Sequence, residues 1–90
     1  MRIAVIALGK IGLPLAVQFA SKGHSVVGVD INETVVQLVN SGVEPFPGEA
    51  DLQTKLSAVV DSGLLTATTS TAEAVRNAEA VIIVVPLFVD

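Results

Sequence analysis

Two glycines and one acid carry the chemical signal in this chain. Gly9 and Gly12 follow the apolar run Ile3-Ala4-Val5-Ile6-Ala7-Leu8, and Asp30 closes a second run, Val26-Val27-Gly28-Val29. Gly9 has no Cβ, so an anion such as a pyrophosphate can approach the main chain closely there. A helical pattern, Leu13-Pro14-Leu15-Ala16-Val17-Gln18-Phe19-Ala20, begins directly after Gly12. The free N–H groups at its start, from about Lys10 through Ile11 and Gly12 to Leu13, carry the positive end of the helix dipole and suit that anion. Gly12 also lets the helix lie close against the strand. Asp30 stands 18 residues beyond Gly12, near the spacing at which a carboxylate reaches an adenosine ribose. That carboxylate accepts hydrogen bonds from ribose hydroxyls and repels a 2′-phosphate. The following Ile31-Asn32-Glu33-Thr34 contains no arginine, so NAD is favoured over NADP.

One position departs from the fingerprint. A glycine is wanted where the chain has Ala7. Alanine serves there only if the backbone keeps a negative φ, and its methyl narrows the turn. A plain βαβ unit with glycines used only for packing shares the glycine spacing. The flanking strand, the helix and Asp30 together favour a dinucleotide site.

Those residues need a scaffold, and the hydrophobic pattern supplies one. The first strand, about Arg2 to Leu8, shows no polar alternation and is expected to be covered on both faces, as the central strand of a parallel sheet is. A helix from near Ile11 to about Ser21 tolerates Pro14 in its first turn and stops at Gly23. The second strand covers Ser25 to Asp30. Asn32 reads as an N-cap, with Glu33 in the dipole-favoured first turn of a helix that Gly42 ends. Glu44-Pro45-Phe46-Pro47-Gly48 is a rigid connection in which Phe46 anchors the loop. A third helix runs from Glu49 or Ala50 to Asp61 and stops at Gly63. A short strand, Leu65 to Thr68, follows. Ser70-Thr71-Ala72-Glu73 matches a capping box for a fourth helix ending near Asn77. The last strand is the β-branched run Ala80 to Val85, closed by Pro86.

Strands alternating with helices imply an α/β fold, a Rossmann-like parallel sheet with right-handed crossovers and helices on both faces. The expected strand order is 3-2-1-4. Ligands bind where such a sheet changes direction, beyond the carboxyl ends of its strands. Leu8-Gly9 and Val85-Pro86 are therefore expected to face each other across a cofactor cleft. The fourth strand has no partner on its outer side, so the sheet is expected to be incomplete there, with a bare apolar edge.

The totals agree. Ninety residues make one small domain, which buries only about two thirds of its surface on folding. The chain is 51% hydrophobic and 16% charged, with mean hydropathy +0.71. So apolar a composition implies faces meant to meet further polypeptide or another copy, and a homo-oligomer is expected. Net charge −4 and the lack of a basic cluster argue against nucleic acid. No cysteine is present, which excludes disulfides and any Cys-based zinc site or nucleophile. His24, the only histidine, has no acid or nucleophile nearby and reads as a solvated loop residue. No metal-binding set is apparent. The longest apolar run is too short to span a bilayer, and the start reads as a core strand rather than a secretion signal. A cytoplasmic protein without membrane attachment is expected.

The same residues resemble the UDP-glucose/GDP-mannose dehydrogenase family. Leu8-Gly9-Lys10-Ile11-Gly12-Leu13-Pro14-Leu15-Ala16 is similar to its glycine turn and Gly-Leu-Pro-Leu-Ala helix start, and Gly28-Val29-Asp30 to the end of its second strand. Pro47-Gly48-Glu49, Gly63-Leu64-Leu65 and Ala80 to Pro86 resemble its later sections. The resemblance implies that residues 1–90 form the N-terminal part of an NAD-binding domain, with the substrate and catalytic domains elsewhere. It implies oxidation of the C6 alcohol of a nucleotide sugar to the carboxylate with two NAD+, through a cysteine thiohemiacetal. No catalytic residue carries over, because this chain has no cysteine. Cofactor contacts carry over to Gly9, Lys10, Ile11, Gly12 and Asp30, with Val85 and Pro86 beside the cleft. Ala7 and Leu87-Phe88 depart from the family's glycine and Thr-Pro. The alternatives are another Rossmann dehydrogenase of 6-phosphogluconate or 3-hydroxyacid type, and a nucleotide-binding or assembly module without catalysis.

Overall fold

The computed structural model describes residues 1–46 and 51–85. Its elements are β1 (Arg2–Ile6), α1 (Gly12–Ser21), β2 (Ser25–Val29), α2 (Glu33–Asn40), α3 (Leu52–Asp61), β3 (Leu65–Thr68), α4 (Thr71–Arg76) and β4 (Ala80–Ile83). The strands form one parallel sheet in the order β3-β2-β1-β4, as the alternation of strands and helices predicts. Ile3 lies beside Val26 on one side and Ala80 on the other, so β1 is internal. The expected starts of the third helix at Glu49 or Ala50, Pro47-Gly48, and everything from Pro86 onward lie outside the described residues.

Each strand of a pleated sheet offers alternate side chains to opposite faces, and both faces here are used. Ile3 and Val5 join Leu13 and Val17 of α1, Val39 of α2 and Leu56 of α3 in the larger core. Ala4 and Val29 point the other way and meet Ala74 of α4. Three helices thus cover one face and one short helix covers part of the other. Phe46 packs against the larger core, as an anchor should.

Local chemistry explains the helix boundaries. Asn32 Oδ1 accepts from the N–H groups of Thr34 and Val35 at 2.9 and 3.3 Å, capping α2. Gly23, Gly42 and Gly63 follow α1, α2 and α3 at φ values of 97, 74 and 80°, conformations that resist a Cβ. Only half of the expected capping box forms at α4. Ser70 Oγ accepts from the Glu73 N–H at 3.2 Å, but the Ser70 N–H donates to Thr68 Oγ1 at 3.1 Å and leaves Glu73 no partner to return to.

Two strand ends and the histidine also differ from expectation. β1 ends at Ile6, not Leu8, because Ala7 turns the chain off the ladder at φ 81°. β4 ends at Ile83, although the Val84 N–H still donates to the Ile6 carbonyl at 3.1 Å. His24 is half-buried rather than solvated, edge-on to Phe19 with ring centroids 6.3 Å apart. It opens β2 at the end away from Asp30 and its ring meets no catalytic partner among the described residues.

The two sheet edges are treated differently. Along β3, the Asn40 side chain donates Nδ2 to the Ala67 carbonyl at 2.9 Å and accepts the Ala67 N–H on Oδ1 at 2.8 Å. That amide stands in for a neighbouring strand. Along β4, Val81 and Ile83 are 45 and 66% exposed, and Val85 just beyond it is 67% exposed. Among the described residues, no helix is long and apolar enough to cross a membrane, and no cluster of His, Cys, Asp or Glu could hold a metal ion.

Candidate functional site

The site is built at the carboxyl ends of β1, β2 and β4. Residues 7–11 turn the chain from β1 into α1, which begins at Gly12 without a side-chain cap. Among the described residues, the N–H groups of Gly9, Lys10, Ile11 and Gly12 meet no acceptor. The donor set is narrower than the sequence suggests: the Leu13 N–H is already taken by the Gly9 carbonyl at 3.0 Å. Pro14, in the same first turn, has no N–H to offer. What remains is an uncapped amide cluster of the kind that receives an anion.

The glycines divide their work. A Cβ on Gly12 would land on the Ala7 carbonyl oxygen and come within 3.5 Å of the Val84 γ-methyl. Gly12 therefore brings α1 against the end of β1, as expected. A Cβ on Gly9 would meet nothing within 4 Å. The fold itself places no demand for glycine at position 9. Open space above that backbone is what a close-approaching ligand requires.

Asp30 follows β2, and its carboxylate faces the turn. Oδ2 accepts the Leu8 N–H at 3.1 Å, and Oδ1 accepts the N–H of Asn32 at 2.9 Å. A carboxylate offers about four acceptor positions, so two contacts leave capacity for ribose hydroxyls. Asp30 is half-buried, reachable from solvent on its remaining side. The structure thus brings Gly9, Lys10, Ile11, Gly12 and Asp30 to one end of the sheet. Lys10 and Ile11 are exposed at the rim of the turn, Ile11 by 69%. Val85 lies just past β4, 67% exposed. Pro86 falls outside the described residues.

At three residues of the site the structure departs from expectation. Ala7 takes φ 81°, so the expectation that alanine needs a negative φ is overturned. Its N–H donates to the Val29 carbonyl at 2.7 Å, and the turn holds the methyl in a conformation it disfavours. Leu8 does not face the cleft as expected: it is fully buried, its side chain filling the place where a Cβ on Gly28 would come within 2.6 Å. The sequence did carry a signal for Leu8: a glycine inside a β-branched strand marks a close approach. Val84, rather than Val85, is the residue after β4 that a Cβ on Gly12 would meet.

Residues 1–87 match the UDP-glucose/GDP-mannose dehydrogenase family, NAD binding domain. The chain belongs to that family. It is 47% identical over 68 residues to the UDP-N-acetyl-D-mannosamine dehydrogenase of Pyrococcus horikoshii, covering 76% of this chain and 16% of that protein. It is 41% identical over 76 residues to the GDP-mannose 6-dehydrogenase of Pseudomonas savastanoi pv. phaseolicola, covering 84% of this chain and 17% of that one. Its fold superposes on the crystal structure of a ternary complex of GDP-mannose dehydrogenase from Pseudomonas aeruginosa with TM-score 0.91 and 34% identity. That match covers 96% of this chain and 20% of the other. The chain therefore spans no more than about a fifth of these relatives. The resemblance carried by the glycine turn and the Gly-Leu-Pro-Leu-Ala run holds, and NAD is the cofactor of this UDP-glucose/GDP-mannose dehydrogenase domain.

Proposed function

We propose that these residues are the N-terminal, NAD-holding part of a nucleotide-sugar dehydrogenase. The parent enzyme oxidises the C6 alcohol of a UDP- or GDP-sugar to the uronic acid with two NAD+. The amides of Gly9 to Gly12 receive the diphosphate, Asp30 receives the adenosine ribose, and Val85 and Pro86 border the cleft. The catalytic and substrate-binding groups are carried by other segments of the protein. The names of the relatives support the substrate class, as UDP-N-acetyl-D-mannosamine and GDP-mannose are both nucleotide sugars. Association of copies through the bare β4 side belongs to the same proposal. So does a cytoplasmic setting, since the cofactor and the substrate are charged molecules that do not cross a bilayer unaided.

One observation carries this reading: the Asp30 carboxylate is turned onto the glycine turn, with Oδ2 3.1 Å from the Leu8 amide nitrogen. A carboxylate able to accept ribose hydroxyls beside amides able to receive a diphosphate is what this reading requires. Calorimetric titration of NAD, NADP and AMP into the 90-residue chain tests it. NAD and AMP are expected to bind, and NADP about tenfold or more weakly than NAD, because the carboxylate repels a 2′-phosphate. Asp30→Ala is expected to weaken NAD by roughly 10- to 100-fold, the range for hydrogen bonds to a charged group. Equal affinity for NAD and NADP would remove Asp30 from the ribose site.

A further inference from the structure

The peptide unit joining Ala7 to Leu8 is held at both ends. Its N–H, on Leu8, donates to Asp30 Oδ2 at 3.1 Å. Its carbonyl, on Ala7, occupies the place that a Cβ on Gly12 would need. Between them, Ala7 sits at φ 81°, which a methyl-bearing residue resists and a glycine accepts freely. The restraint must therefore come from the surroundings. The Ala7 N–H is fixed to Val29, and the Leu8 side chain is locked over Gly28. The remaining restraint, the Asp30 carboxylate, is the only one of the three that also belongs to the ligand site. It is itself steadied by the Asn32 N–H at 2.9 Å, which leaves its direction set before any ligand arrives.

We propose that Asp30 is a positioning residue for the diphosphate loop, beyond its role as ribose acceptor. Through the Leu8 amide it holds the Ala7–Leu8 peptide in the orientation that leaves the Gly9 to Gly12 amides open to the diphosphate. This rests on the reading that the turn takes a dinucleotide. Asp30 then influences a ligand that it never touches, such as inorganic pyrophosphate. Because the hold works against the Ala7 methyl, its importance depends on alanine at position 7.

Amide hydrogen exchange and pyrophosphate titration, both followed by NMR on the 90-residue chain, test this. In the ligand-free protein, Asp30→Ala is expected to speed exchange at Leu8 about tenfold relative to Val5. The same variant is expected to weaken inorganic pyrophosphate, which has no ribose, although it also removes a negative charge from beside that anion; an Ala7→Gly comparison within that background holds this charge constant. In the Asp30→Ala background, Ala7→Gly is expected to recover about fivefold of that affinity, because glycine takes the left-handed conformation unaided. Unchanged Leu8 exchange, or an Ala7→Gly effect of equal size with and without Asp30, overturns the proposal even if NAD still binds. Faster Leu8 exchange in a chain that binds neither pyrophosphate nor NAD supports the hold and overturns the dinucleotide reading instead. Should Asp30→Ala not fold, Asp30→Asn replaces it. Leu8 and Asn32 donate to different oxygens of Asp30, so in this variant the amide nitrogen replaces the acceptor of one of them; exchange at that one accelerates, and no change at either overturns the hold.

Discussion

A methyl group at position 12 has nowhere to go. Its carbon would fall on the Ala7 carbonyl oxygen, with the Val84 side chain closing the other direction. Gly12→Ala must push α1 off the end of β1 or twist the Ala7–Leu8 peptide. Overpacking of this kind costs about 1–3 kcal/mol, and the amides of the turn move with it. At position 9 the physics reverses. A Cβ there meets nothing within 4 Å, so Gly9→Ala is expected to leave stability within about 0.5 kcal/mol, while its methyl stands where the diphosphate would lie. Thermal unfolding and NAD titration of the two variants separate them: Gly12→Ala loses both stability and affinity, Gly9→Ala loses affinity alone. Wild-type NAD affinity in Gly9→Ala would show that the ligand does not approach that backbone. At this scale the placement of the two glycines and Asp30 at one end of the sheet was legible, because the strand, turn and helix pattern around them is local. The φ of Ala7 was not. A local rule says that alanine avoids the left-handed region, and here contacts from Val29 and the Asp30 carboxylate, distant in sequence, override it.

Asn40 shows how an element is finished by a residue that carries no advance signal. It is the last residue of α2, where asparagine ordinarily reads as part of a helix stop. Only the fold brings it alongside β3, where one side-chain amide answers both the N–H and the C=O of Ala67. Ala67 is 9% exposed, so its main-chain groups have little water to fall back on. Asn40→Ala removes both partners at once, and leaving such groups unsatisfied costs about 1–3 kcal/mol. For a domain this small that corresponds to a fall in melting temperature of roughly 5–20 °C, measurable by calorimetry. A fall of under a degree would mean that solvent satisfies Ala67 in the variant. The other elements were readable for the opposite reason, since their determinants are local. The β-branched run at Ala80 to Ile83, the Asn32 cap and the glycines after three helices each act within a few residues. Strand ends were less readable, because the ladder stops where Ala7 leaves it, and that is a tertiary event.

Across the whole molecule the apolar surplus noted in the composition has a definite place. Ala4 and Ile6 of β1 face α4, and their register partners on β4 are Val81 and Ile83. The short α4 reaches the β1 pair but leaves Val81 45% and Ile83 66% exposed on the same face. Beyond them β4 also presents an outer edge that no described strand pairs. β3 carries Asn40 against such pairing and β4 has no equivalent among the described residues. An apolar face next to an open edge is a template for another chain. Purified alone, the 90-residue protein is therefore expected to self-associate through β4 with rising concentration, as followed by sedimentation velocity. Ile83→Lys puts a charge on that face and is expected to shift the protein to monomer. Ile31 is the matching control, because it is 96% exposed and follows Asp30, two strands away from β4. Ile31→Lys removes as much exposed apolar surface without touching β4, so it is expected to leave association unchanged. Equal effects of the two substitutions would point to diffuse hydrophobic association, and a wild-type chain that stays monomeric at every concentration would show that β4 recruits no second copy.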